Sequence, residues 1–151
     1  MTVSFRLAGR EDMQILLECM AEFYLFDRVP FDEEKARDAL RMILSDDDMG
    51  RVWMIDDDSQ TVGYIVLTFG FSLEYHGRDA FIDEFYIRKP YRGRGIGKQT
   101  LRFLEEECIL LNIRALHLAV RRSNRHARTL YEKHGFEVHD RLFMIKVLGR
   151  K

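Results

Sequence analysis

Ile82-Asp83-Glu84-Phe85-Tyr86-Ile87-Arg88-Lys89-Pro90-Tyr91-Arg92-Gly93-Arg94-Gly95-Ile96-Gly97-Lys98 is the stretch on which the fold turns. Residues 80–88 read as a strand rich in β-branched and aromatic side chains. Pro90 and a glycine-rich segment follow. Ile96 to Leu111 then reads as an amphipathic helix, because Leu101, Leu104, Cys108 and Leu111 recur at helical spacing. A glycine-rich turn between a strand and a helix is an anion site. It exposes consecutive backbone N–H groups, and the helix dipole adds positive potential. Glycines let a phosphate approach closely, and Arg92, Arg94 and Lys98 add charge. The expected ligand carries phosphates.

Two phosphate patterns fail here. The dinucleotide fingerprint needs Gly at position 98 after Gly93 and Gly95, and Lys98 stands there. The loop of the nucleotide hydrolases needs Gly at 92 and Ser or Thr at 99, and the chain has Arg92 and Gln99. A hairpin also precedes this turn, where a dinucleotide fold would open a βαβ array.

Outward from the turn, Ser4 to Leu7 reads as a short strand. Glu11 and Asp12 open a helix carrying Ile15, Leu16, Cys19, Met20, Phe23 and Leu25 on one stripe. It ends near Pro30, and Asp32 caps a second helix. Val52–Ile55 and Thr61–Phe69 form a hairpin around Asp56-Asp57-Asp58-Ser59, read as a solvated turn. Ala115–Val120 is a short strand, and Asn124–His134 is a helix closed by Gly135. Phe136–Val138 and Leu142–Leu148 read as two last strands. The order β-α-α-β-β-β-α-β-α-β-β describes an α/β chain of the α+β type, a mixed sheet with helices on its faces.

The 151 residues fit one domain, 1–151. A net charge of -1 gives no bulk reason to expect nucleic-acid or membrane partners. Cys19 and Cys108 fall in apolar helical patterns and read as buried thiols, which points to a reducing, cytoplasmic setting. The N-terminus lacks an apolar signal core, and no apolar run is long enough to span a bilayer. The histidines show no zinc spacing, so no metal is expected.

Arg92, Gly95 and Gly97 spell Arg-x-x-Gly-x-Gly, with Tyr91 before it. Asn124, Ala127, Leu130, Tyr131, Lys133, Gly135 and Phe136 form a second block. Both resemble the GCN5-related N-acetyltransferase family. The resemblance is specific from Ile82 to Phe136 and weak before Val52. It implies a single-domain, mostly antiparallel mixed sheet flanked by helices on both faces. It also implies acetyl-CoA as acyl donor and a primary amine as acceptor, joined by direct attack in a ternary complex.

By that resemblance the backbone of Phe85, Tyr86 and Ile87 runs beside the pantetheine arm, on strands that splay. The N–H groups of Arg92, Gly93, Arg94, Gly95, Ile96, Gly97 and Lys98 hold the pyrophosphate. Asn124 bonds the pantetheine or orders the loop before its helix, and Ala127 is small where the cofactor passes. Tyr131 is the general acid for the CoA thiolate. The base that frees the amine is Asp83, Glu84 or water. Alternation on a strand sends Asp83 and Glu84 to opposite faces, and the longer reach of Glu84 favours it. His76, in the loop before the strand, could be a base or a substrate contact, and a loop histidine more often reads as solvated.

The region 18–38, acidic and interleaved with Phe23, Tyr24, Phe26 and Phe31, forms part of the acceptor wall by the same resemblance. Such a wall suits a cationic amine, and the segment 82–97 is similar to the spermidine/spermine acetyltransferases. The plainer reading of these charges is a pair of solvated helix faces. A CoA-binding sensor or assembly module without catalysis is the alternative function. The apolar run Leu142–Leu148 is expected to pair with a second copy in a homodimer.

Overall fold

Five strands pair in chain order into one open sheet. The structure, a computed structural model, describes residues 2–149. Its elements are β1 (Val3–Leu7), α1 (Met13–Phe26), α2 (Glu33–Leu44), β2 (Gly50–Asp57), β3 (Gln60–Ser72), β4 (Gly77–Ile87), α3 (Ile96–Leu110), β5 (Ala115–Leu118) and α4 (Arg125–Lys133). The chain divides between Val120 and Arg121 into two compact units.

In the first unit β1 to β4 are antiparallel neighbours, and β5 joins β4 in parallel. The parallel join needs a long crossover, which α3 supplies. The β2–β3 turn passes through Asp58 at φ 56°, a left-handed conformation that Asp tolerates. Asp32 caps α2 as its side chain accepts from the Lys35 N–H at 3.2 Å.

Alternation along the strands builds a core on each face. Val52, Met54, Tyr64, Val66 and Tyr86 pack against Leu16, Leu17, Cys19 and Met20 of α1 and Leu40 of α2. On the opposite face Ile55 and Val62 pack with Ile96 at the head of α3, joined by Phe5, Phe85 and Ile87. Phe103 of α3 stacks on Phe5 at 4.5 Å and meets Trp53 edge-on at 5.5 Å. Each large side chain so buried contributes about 1.5–3 kcal/mol of transfer free energy.

Asp56 departs from the solvated turn expected of it. It is buried at the end of β2, where it accepts from Arg6 Nε at 2.7 Å and from the Thr61 hydroxyl at 2.9 Å. Arg6 also forks onto Asp12 at 2.9 and 3.0 Å, tying β1 to the turn that enters α1. Desolvation pushes the Asp12 carboxyl up, but Arg6 and the Gly9 N–H outweigh it, and the net position lies below the ordinary range.

The second unit holds α4. The strands expected at 136–138 and 142–148 are not formed. Phe136 serves to close the helix, its N–H donating to the Tyr131 carbonyl at 3.1 Å beside Gly135 at φ 89°. An apolar run becomes a strand only where a ladder receives it. Residues 142–148 have no ladder among the described residues, and Leu142, Met144 and Val147 are 83–86% exposed.

Candidate functional site

The β3–β4 ladder runs Val66↔Glu84 and then Leu67↔Ile82, so Asp83 has no partner across the ladder. Asp83 is a β-bulge. A bulge bends its strand and re-aims a side chain. The opposite faces expected of Asp83 and Glu84 therefore do not arise, and both line one open pocket of about 160 Å³. Helix α2 walls it with Ala36, Ala39, Leu40 and Ile43, and Met20 and Tyr24 of α1 close another side. Apart from the two carboxylates and the Tyr24 hydroxyl, its lining is apolar.

Two phenols meet Glu84. Tyr64 donates to Oε1 at 2.7 Å, and Tyr24 donates to Oε2 in a short hydrogen bond. Desolvation raises the Glu84 carboxyl above its usual range. The two phenols oppose that shift, while Asp83 and Asp27 add to it. Asp83 sits at the pocket rim and is also raised by desolvation. It accepts no side-chain hydrogen bond, and no Lys, Arg or His pairs with either carboxylate, among the described residues. Burial, then Glu84, pushes the Tyr24 and Tyr64 hydroxyls up, so both are protonated donors.

Next along β4, Phe85 and Ile87 send their rings and methyls to the α3 face, and Tyr86 turns back to α1. Tyr86 donates to Glu22 Oε1 at 3.2 Å, and Arg88 pairs with Glu22 at 2.7 Å. On the β3 side these residues are laddered through Gly63, Tyr64 and Ile65. On the β5 side the ladder stops at Ile82↔Leu118, while β4 runs on to Ile87. Among the described residues Phe85, Tyr86 and Ile87 thus have no partner on β5.

At the turn, Gly93 and Gly95 adopt φ 78° and 80°, left-handed values that favour glycine, and a Cβ at either would meet nothing within 4 Å. Ile96, 2% exposed, anchors the head of α3 in the core. Among the described residues the N–H groups from Gly93 to Lys98 make no hydrogen bond, as the first turn of a helix leaves them. Donors so presented at the head of α3 suit a pyrophosphate. Arg92 is exposed yet held along its length. Its Nε donates to the Ile87 carbonyl at 2.8 Å, and its guanidinium lies over Phe26 and Tyr86 at 5.0 and 5.3 Å. Arg94 lies over Tyr91 at 5.6 Å.

Asn124, Ala127 and Tyr131 belong to the second unit. Asn124 is the N-cap of α4, and its Oδ1 accepts from the Ala127 N–H at 3.2 Å. Tyr131 meets Phe136 edge-on at 5.7 Å, and burial pushes its hydroxyl up to about 12. His76 lies in the β3–β4 turn at φ 66° and is exposed.

The region 18–38 divides. Tyr24 reaches Glu84, and Phe31 packs edge-on against Tyr24 at 5.3 Å. Glu33 and Asp38 form surface pairs with Arg37 and Arg41 along α2. Burial pushes Cys19 and Cys108 up to about 11, so neither is a thiolate at neutral pH. Among the described residues no group of three or more His, Cys, Asp or Glu is placed to hold a metal, and no helix is long and apolar enough to cross a membrane. Sequence reasoning missed the contacts of Tyr24 and Tyr64 with Glu84 and the Glu22–Arg88 pair.

The class is that of mixed-sheet proteins with an open strand edge running into a glycine turn at the head of a helix. A sequence profile of the Acetyltransferase (GNAT) family matches residues 14–136, and the chain belongs to that family. Over 67 residues it is 42% identical to an uncharacterized N-acetyltransferase of Bacillus subtilis (strain 168), a match covering 44% of this chain and 43% of that one. Over 74 residues it is 32% identical to the thialysine N-epsilon-acetyltransferase of Bos taurus, covering 49% and 43%. The matched stretch spans less than half the length of these two relatives. A crystal structure of an integron cassette protein from the mobile metagenome of Cole Harbour Salt Marsh superposes with a TM-score of 0.86 at 33% identity, over 97% of this chain and 91% of that one.

Proposed function

We propose that residues 1–151 act as one acetyl-CoA-dependent N-acetyltransferase domain that transfers acetyl to a primary amine by direct attack in a ternary complex. The observation that carries this reading is the β4 segment itself. Its edge opens beyond Ile82↔Leu118, it leads into the free N–H groups of the glycine turn, and its bulge aims two carboxylates into one pocket. The name of the Bos taurus relative, a thialysine acetyltransferase, supports an amine acceptor.

In this scheme the open edge of Phe85, Tyr86 and Ile87 holds the pantetheine arm. The N–H groups from Gly93 to Lys98 hold the pyrophosphate, the Arg92 N–H being already donated to the Lys89 carbonyl at 3.3 Å, with Asn124 ordering the head of α4 and Ala127 leaving space. Bound acetyl-CoA supplies an activated thioester carbonyl. Asp83 or Glu84 removes the proton that an ammonium must lose before it attacks. A backbone N–H of the 85–87 segment stabilises the oxyanion. The Tyr131 hydroxyl, protonated at neutral pH, donates to the leaving thiolate. The apolar wall from α2 suits the aliphatic stem of the acceptor, and much of the acceleration comes from alignment of the two reactants. The protein is placed in the cytoplasm and acts as a homodimer, which the exposed apolar run 142–148 supports; a monomer mass by light scattering rejects the dimer.

A free-thiol assay with acetyl-CoA and a panel of amines tests the activity, alongside thermal shift with acetyl-CoA, NAD and ATP. Turnover with stabilisation by acetyl-CoA alone is the expected result. Stabilisation without turnover of any amine selects the sensor reading, and no shift with any acyl-CoA rejects the cofactor.

A further inference from the structure

We propose that Tyr24 and Tyr64 are positioning residues that divide the work of the acid pair, holding Glu84 as the fixed anion that seats the ammonium and leaving proton removal to Asp83. This rests on the acetyltransferase reading above. Three elements bring the groups together. Tyr24 comes from α1, Tyr64 from β3, and both carboxylates from β4. Each oxygen of Glu84 accepts one phenol, which fixes the plane of the carboxylate as well as its position.

The two tyrosines are themselves held. Tyr64 is fully buried, between core residues of α1 and β2. The Tyr24 ring is flanked edge-on by Phe23 at 5.9 Å and Phe31 at 5.3 Å. Both rings are thus packed where they meet Glu84.

A hydrogen bond to the charged form of an acid favours that form. Glu84 has two such bonds and Asp83 has none, although both share one pocket and repel each other. The charged and titratable groups facing Glu84 are Tyr24 and Asp27 from the α1 end, Tyr64 from β3 and Asp83 from β4. The α2 wall contributes apolar side chains. No cation balances the two carboxylates among the described residues. An arriving ammonium supplies that missing charge. Its proton then passes to the carboxylate without hydrogen-bond donors, which the bulge has pushed to the rim.

The steps balance. One ammonium N–H bond breaks and an O–H bond forms on Asp83, while Glu84 stays ionised. The amine forms the C–N bond, and the C–S bond breaks. Across the cycle the ammonium loses two protons, one ending on the CoA thiol and one in solvent.

The test has two readouts. Carboxylate ¹³C NMR on the free protein follows Glu84 and Asp83 through pH in wild type, Tyr24→Phe and Tyr64→Phe. Asp83 is expected to take up its proton first as pH falls, and loss of either phenol is expected to raise the Glu84 midpoint by about one pH unit. In the pH profile of kcat/KM, Asp83→Asn is expected to abolish the acid limb. Glu84→Gln keeps that limb and raises KM at least tenfold. Glu84 protonating before Asp83 in wild type, or an unmoved Glu84 midpoint in Tyr24→Phe, overturns the proposal. Because the titration needs no turnover, it decides the division of labour even if no amine is acetylated, a result that would instead refute the transferase reading. Tyr24 is less buried than Tyr64, so Tyr24→Phe tolerates the loss of its hydroxyl should Tyr64→Phe fail to fold.

Discussion

Tyr64 of β3 donates its phenolic proton to Glu84 of β4 at 2.7 Å, next to a bulge that leaves Asp83 without a ladder partner. Adjacent acids on one strand thus have different surroundings. One is held by hydrogen bonds and the other stands at a pocket rim.

Asp83→Asn is expected to lower kcat/KM by about 10²-fold or more at neutral pH, the contribution of a positioned base. It is also expected to raise thermal stability. Desolvation holds the Asp83 carboxyl above its unfolded value, so the stability it contributes is present at low pH and is lost as pH rises through the folded value. At neutral pH the ionised side chain costs stability, and the amide removes that cost. Calorimetry at pH 7 and pH 4 checks the sign: the gain should appear at pH 7 and shrink at pH 4.

Tyr131→Phe is expected to slow turnover about 10²-fold while stabilisation by acetyl-CoA is kept. With its hydroxyl pushed up to about 12, Tyr131 stays protonated from pH 6 to 9. The loss should therefore be flat across that range. Unchanged turnover at every pH removes Tyr131 from the chemistry.

Gly95→Ala places a Cβ at φ 80° in open space, so the effect is backbone strain without collision. About 1 kcal/mol of stability should be lost, or a fall in Tm of about 2–4 °C. The turn that presents the free N–H groups should also shift, and the thermal stabilisation by acetyl-CoA should drop. Loss of Tm with full cofactor stabilisation separates a folding role from a binding one.

Arg6→Ala leaves Asp12, 4% exposed, and Asp56, 8% exposed, without their shared cation. Stability at pH 7 is expected to fall by about 2 kcal/mol, the partial exposure of Arg6 discounting the value for a buried pair. The Asp12 carboxyl lies below its ordinary range in the folded protein. Its contribution is therefore present above the unfolded value and lost as pH falls through the folded one. Urea titrations at pH 7 and pH 3 should show the variant and wild type converging in acid.

Much of the architecture was legible because it is local. Strand, glycine turn and helix follow one another within Ala80–Leu110, and the capping Asp32 and Asn124 act within three residues. The bulge at Asp83 was not legible. Strand alternation is a default, and the skipped residue is decided by how β4 registers against β3. Asp56 read as a turn residue because its neighbours are aspartates, yet Arg6, fifty residues earlier, draws it into the sheet.

By itself the sequence determined the order of the first nine elements, the glycine turn between β4 and α3 and the membership of the GNAT acetyltransferase family, since these rest on short spacings and a signature. Tertiary structure decided which side chains share a pocket. Tyr24 and Glu84 are sixty residues apart and meet only because α1 and β4 pack on one face. It also left 142–148 unladdered, where composition alone describes a strand. Propensity is a property of a segment, whereas a hydrogen-bonding partner or a ladder must be supplied by the rest of the chain or by another molecule.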